Sequence, residues 1–228
     1  MGCSKTTNLR GVNHLKDYRI TFEKRGRVKY ISHLDLNRCM IRAIRRSDLP
    51  AWYTEGFHPH LYLMFPLALS LGAESICEVM DFRLTEEVPD DEILSRLNAS
   101  MPEGLKAISV HEPKYEAQHI GSACYDVTLQ GENLSQFWND FISQEQILTE
   151  KKTKKGMKTI DIKPMITIEG MTAENDNLCL SLRLPAGNEG NLNVTVVTDA
   201  FQKYAEKPIL VTKILRTKIF CQNGEIFS

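Results

Sequence analysis

The six cysteines of this 228-residue chain, at positions 3, 39, 77, 124, 179 and 221, include no C-x-x-C pair. Neither a zinc ribbon nor an iron–sulfur cluster is therefore suggested. Cys39, Cys77, Cys124 and Cys179 stand inside apolar patterns, which reads as buried thiols of a cytoplasmic protein. No pair of histidines has a diagnostic metal spacing such as H-E-x-x-H. No apolar run is long enough for a membrane span or a signal peptide. Neither a metal, nor a cofactor, nor a membrane is expected from these absences. Net charge is also nearly missing, at −1, which argues against a uniformly basic, nucleic-acid-coating protein.

That near-zero sum hides strong patterning. Residues 18–60 hold nine Lys/Arg against four Asp/Glu, whereas residues 61–150 hold four against sixteen. A basic early segment suits a polyanionic partner. The alternative is a set of solvated faces pairing with one another.

The densest chemistry lies at 30–60. Ser32 is placed to cap a helix over 32–48, with Asp35 three residues on completing a shortened capping box. Leu36, Met40, Ala43 and Ile44 recur at helical spacing as its apolar face. Arg38, Arg42, Arg45 and Arg46 fall on the opposite side, within roughly a quarter of the circumference at about 100° per residue. Leu49–Pro50 ends the helix, because the residue before a proline is pushed out of the α region. Tyr53 to His60, YTEGFHPH, follows as a tight polar loop.

Around this stretch the chain alternates between the two structural periods. Strands are predicted at Asp17–Lys24, Leu61–Leu67, Ile76–Leu84 and Leu105–His111, with a second helix starting at Pro89. Arg25–Gly26–Arg27 reads as a basic turn and Ser70–Ser75 as a loop. The order β-α-β-β-α-β is the split-βαβ or ferredoxin-like arrangement. After a linker near 113–122 the order recurs. Strands are expected at Cys124–Gln130, at Ile147–Lys151 with a further extended stretch at Thr159–Glu169, at Asn177–Leu184 and at Val211–Cys221. Helices are expected at Asn133–Ser143 and Val194–Ala205. Five lysines between 151 and 158 mark an exposed hairpin tip. The expected fold is α+β, built of tandem ferredoxin-like units over 17–115 and 123–228 behind a loose terminus at 1–16.

The stretch 18–84 resembles a bacterial family of unknown function, the radical-SAM-linked proteins. The resemblance is carried by Phe22–Lys24 with Gly26, by Tyr30 through Leu36, and by Arg38, Arg42–Ala43 and Arg45–Arg46. It continues through Leu49–Pro50, Tyr53, Glu55–Gly56–Phe57 and Pro59–His60, then Pro66–Leu67, Leu71–Gly72, Glu74–Ser75 and Glu78. Members occur as separate chains encoded beside a radical SAM protein, or fused to its C-terminal end. The resemblance therefore implies a radical SAM enzyme as partner. It does not imply that this chain holds the cluster, because the three-cysteine cluster motif is missing. His33 and His60 sit in matching columns. His58 stands where the family has asparagine, Leu61 where it has a second proline, and Trp52 where it has a small residue.

The candidate substrate-binding residues are Arg27, Ser32, His33, Asp35, Arg38, Arg42, Arg45, Arg46, Glu55, Gly56, Phe57, His60, Glu74 and Glu78, with His33 the candidate catalytic group, and most of them also carry a purely structural reading. Arg38, Arg42 and Arg45 form a ladder suited to phosphates, extended by Arg25, Arg27 and Lys29, with Arg46 beside it; otherwise they are a solvated face paired with the acidic segment. His33, Asp35, Glu55, His58 and His60 could form a metal site or an acid–base set. Alternatively, His33 is a first-turn histidine bonded to the following loop. Gly56 and Pro59 fix a turn. Phe57 is either a core plug or a stacking platform for a base. Glu74 and Glu78 either pair with the arginines or line their cleft, and Trp52 and Tyr53 read as packing. The function expected is a non-catalytic module that presents RNA or another phosphorylated substrate to the radical SAM enzyme. The alternatives are a ferredoxin-like RNA-processing endonuclease using His33 and a purely protein-binding subunit of that enzyme.

Overall fold

Alternating side chains build the sheet and amphipathic helices cover it. A computed structural model describes residues 15–153, 156–188 and 190–228. The expected loose terminus thus falls outside the described residues except for Leu15 and Lys16. The first half runs β1 (Lys16–Lys24), α1 (His33–Arg46), β2 (Leu63–Met64), β3 (Glu74–Leu84), α2 (Asp90–Ser100) and β4 (Leu105–His111). The second runs β5 (Ile120–Gln130), α3 (Leu134–Ser143), β6 (Leu148–Thr153), β7 (Gly156–Asp161), β8 (Thr167–Glu174), β9 (Asn177–Pro185), α4 (Val194–Ala205) and β10 (Leu210–Cys221).

The architecture is α+β, with four helices and a mixed eight-stranded sheet among the described residues. Its order is β4-β1-β3-β10-β5-β9-β8, with β2 also on β3. Every pairing is antiparallel except β3 with β10, where Glu74 and Ser75 oppose Leu215 and Arg216. Two short pairings divide one edge of β3. β2 takes Asp81 and Phe82, and β10 takes the Glu74 end. β6 and β7 form a separate hairpin, and Lys154 and Lys155 at its expected lysine-rich tip lie outside the described residues.

Two cores follow from the patterns. Tyr18, Ile20 and Phe22 alternate inward on β1 and meet Leu36, Met40 and Ile44 of α1 and Ile93 and Leu97 of α2. Leu178, Leu180, Leu182 and Leu184 do the same on β9 beneath Trp138, Phe141 and Phe201. The three aromatic rings of that second core stand 5.1–5.5 Å apart, tilted or edge-on, the geometry their quadrupoles favour. α4 forms despite its β-branched residues because Asn193 caps it, accepting from the Thr195 N–H at 3.1 Å, while Val194, Val197 and Phe201 bury its inner face.

Four expectations are corrected. The strand expected over Leu61–Leu67 pairs only at Leu63–Met64. Pro66 has no N–H to offer a ladder, and the other half of β3's edge belongs to β10. β3 begins at Glu74, inside the expected loop. The extended stretch ending at Glu169 is broken by a 3-10 turn at Lys163–Met165 and resumes as β8. Among the cysteines, Cys124 is buried, Cys39 and Cys77 half-buried and Cys179 exposed; the alternation that turns Leu178 and Leu180 inward turns Cys179 out.

Candidate functional site

α1 starts where its cap dictates. The Ser32 side-chain oxygen accepts from the Asp35 N–H at 3.1 Å, and its hydroxyl donates to the Asp35 carboxylate at 2.7 Å. With Leu36, Met40, Ala43 and Ile44 buried, the helix has no rotational freedom, and Arg38, Arg42, Arg45 and Arg46 are all turned to solvent. From Arg38 to Arg45 the ladder covers roughly 10 Å of helix axis.

These guanidiniums are largely uncommitted. Arg38 reaches Asp35 at 3.4 Å, both side chains more than half exposed, a pair worth little in water. Arg42 has no side-chain partner among the described residues. Arg45 lies over the Tyr53 ring, 5.8 Å from its centroid. Arg46 donates to the Ser100 carbonyl at 2.6 Å and so ties α1 to the end of α2. Arg27 is exposed and unpaired among the described residues, Arg25 meets Glu23 at 3.3 Å, and Lys29 meets Glu74 at 3.8 Å. The reading in which the acidic segment neutralises the helix does not hold: its carboxylates lie against Lys16, Arg19, Lys29, Arg96 and Arg216, so it takes Lys29 from the expected extension of the ladder but none of the helix arginines.

The loop at 54–60 is the tip of a hairpin. Trp52 N–H donates to the Arg83 carbonyl at 2.8 Å, Tyr53 bridges to Leu61, and Thr54 N–H donates to the His60 carbonyl at 2.8 Å. The Thr54 hydroxyl also meets His60 Nδ1 at 2.9 Å and accepts from the His60 N–H at 3.1 Å. That accounts for His60 structurally. Gly56 takes φ +123°, a conformation open to glycine and strained for other residues. Phe57 is fully exposed, so the core-plug reading is wrong. Glu55, His58 and Pro59 are exposed beside it. Trp52 packs on Tyr62, and both rings flank the Arg83 guanidinium, at 5.2 and 4.9 Å.

His33 is exposed and its ring meets Phe65 edge-on at 5.2 Å. It makes no side-chain hydrogen bond among the described residues, so the expected bond to the following loop does not form. Among those residues no group of three or more His, Cys, Asp or Glu side chains is placed to hold a metal ion.

Glu74 and Glu78 part company. Glu74 accepts from the Gly26 N–H at 3.1 Å and holds the turn before α1. Glu78 is buried against Arg216, which donates to it through Nε at 3.1 Å and Nη2 at 2.5 Å, and to the Ala68 and Leu67 carbonyls. Burial works against the Arg216 charge, but the facing Glu78 carboxylate outweighs it and holds the guanidinium above its ordinary pKa. Burial lowers Lys24 nearby, opposed by Glu78, and raises the Cys77 thiol to about 11. A second buried pair, Arg19 to Asp81 at 2.6 and 2.7 Å, lies beside a cavity of about 640 Å³ that none of the expected site residues lines. Sequence reasoning missed these pairs. Their signal was charges set between apolar residues of a strand, Glu78 and Asp81 in ICEVMDF and Arg216 in KILRTKIF, since a charge is rarely buried without a partner.

The chain is thus a mixed α+β protein that presents a capped, arginine-bearing helix beside an aromatic-tipped hairpin. It belongs to the family described as "Uncharacterized protein conserved in bacteria (DUF2344)", whose model matches residues 17–194. A search of curated proteins finds no match. No helix among the described residues is long and apolar enough to cross a membrane.

Proposed function

We propose that the protein is a recognition module that binds RNA or another phosphorylated substrate for a partner radical SAM enzyme, without being catalytic itself. The observation that carries this reading is the ladder of Arg38, Arg42 and Arg45, held at a fixed angle by a buried apolar face and left un-neutralised by the acidic segment. Guanidinium forks match phosphate oxygens in bidentate fashion. The order β4-β1-β3-β2 in one half and β10-β5-β9-β8 in the other supports reading each half as a ferredoxin-like unit, a fold that also serves RNA recognition; this part is fold analogy. The radical SAM partner rests on the sequence resemblance.

The test is binding of the full chain to total cellular RNA across a salt titration. Saturable binding that weakens with salt is expected. Arg42→Glu with Arg45→Glu should flatten the dependence of log K on log salt by about 0.7 for each single-strand phosphate that is no longer neutralised. No binding at low salt would overturn the RNA reading and direct attention to small phosphorylated ligands. The exposed His33 ring favours one second reading, RNA cleavage with His33 as proton donor or acceptor. If RNA is cut, and His33→Ala stops the cutting while sparing affinity, the module is an enzyme.

A further inference from the structure

Phe57 gains nothing in the free chain from being a phenylalanine. Burying such a ring stabilises a fold by about 1.5–3 kcal/mol, yet this ring is fully exposed. Nor is it on a loose loop. The Tyr53–Leu61 bridge, the Thr54 N–H to His60 carbonyl bond and the Thr54–His60 side-chain bonds close the hairpin beneath it. Gly56 bends the backbone at φ +123° with open space where a Cβ would stand. The tip is a short turn on a hydrogen-bonded base that carries one ring.

The flanks of that ring narrow the choice of ligand. Glu55, His58, Pro59 and His60 are all exposed, and no large apolar side chain lies within the tip itself. A protein partner's hot spot is normally a desolvated aromatic in a well-packed patch. A lone ring among polar neighbours instead fits a flat ligand with an open π-face and polar edges. The hairpin is also continuous with the arginine ladder, because Tyr53 at its base lies under Arg45. Phe57 lies four positions after Tyr53, a reach of at most about 14 Å. A short strand could lay phosphates along Arg45, Arg42 and Arg38 and still bring a base to Phe57.

We infer that the ligand of this surface is single-stranded RNA, with Phe57 as the platform on which one unpaired base stacks. The inference rests on the phosphate-binding reading above and adds the strandedness. In a duplex the π-faces are already occupied by neighbouring base pairs, whereas single strands can splay bases onto aromatic side chains.

The experiment compares the full chain's binding to a short oligouridine and to a fully paired RNA duplex of the same length, at low salt. The variants are Phe57→Ala, Phe57→Trp and Arg42→Glu/Arg45→Glu. The wild type should prefer the single strand. Phe57→Ala should weaken oligouridine binding by about five- to a hundred-fold, leave duplex binding and the salt slope unchanged, and melt like the wild type. Phe57→Trp should retain binding, with its indole fluorescence quenched on addition of oligouridine. If Phe57→Ala binds oligouridine as well as the wild type, the stacking role is overturned while the arginine reading stands. If neither RNA binds, or binding ignores the arginine changes, the phosphate reading fails and takes this inference with it.

Discussion

Ser32 acts through one oxygen. It satisfies the Asp35 N–H at the start of α1, one of the donors a helix end leaves without an intrahelical partner. Ser32→Ala should cost about 1 kcal/mol of stability in urea unfolding; a change near zero would mean that the hairpin or the preceding turn holds the helix start instead. The cysteines separate by environment. Burial raises the Cys77 thiol to about 11, and burial with the Glu169 hydrogen bond raises Cys124 to about 11, while Cys179 is exposed. An aromatic disulfide reagent at mildly alkaline pH should modify Cys179 rapidly, and Cys77 and Cys124 only on unfolding. Cys179→Ser should remove one fast equivalent. The raised thiols also set a sign for stability. Between pH 9 and about 11 the unfolded chain releases protons that the folded chain keeps, so these two sites lose stability as pH rises through that window and contribute no pH dependence below it.

At the scale of elements, α1 separates its two jobs by face. The inner residues hold the helix to the sheet and the outer arginines hold nothing but Ser100 and weak local contacts. Arg42→Glu should therefore leave the melting temperature nearly unchanged while weakening RNA binding. A large drop in stability would mean the arginine has a structural role. The second core behaves oppositely. Trp138 is buried between Phe141 and Phe201, and Trp138→Ala should cost about 3–5 kcal/mol, read as a drop in the urea midpoint. The helices were legible in the sequence because their information is local: a cap, a 3.6-residue apolar stripe, a proline stop. β9 was legible from its period of two. β2 was not, because how far Leu61–Leu67 pairs depends on β10, some 150 residues later, competing for the same edge of β3.

Across the whole molecule, the two halves are joined at the parallel contact between β3 and β10 and riveted by Glu78 and Arg216, which lie 138 residues apart in the chain. Both side chains are essentially withdrawn from water. Removing one leaves the other charged and unpaired, so Glu78→Gln or Arg216→Met should each cost about 3–5 kcal/mol. Glu78→Leu with Arg216→Met, which removes both charges, should recover most of that stability; a double variant as unstable as the singles would show that the carbonyls of Leu67 and Ala68 need the guanidinium more than Glu78 does. Periodicity and capping, read within a dozen residues, were enough to determine the α+β class, the placement of α1 and the side on which its arginines lie. Only the tertiary structure decided that Glu78 belongs to Arg216 and not to the arginine helix, that Cys179 faces out, and that Phe57 stands in solvent. The physical reason is that burial and charge pairing belong to what the rest of the chain brings alongside a residue, and sequence spacing does not specify that neighbour.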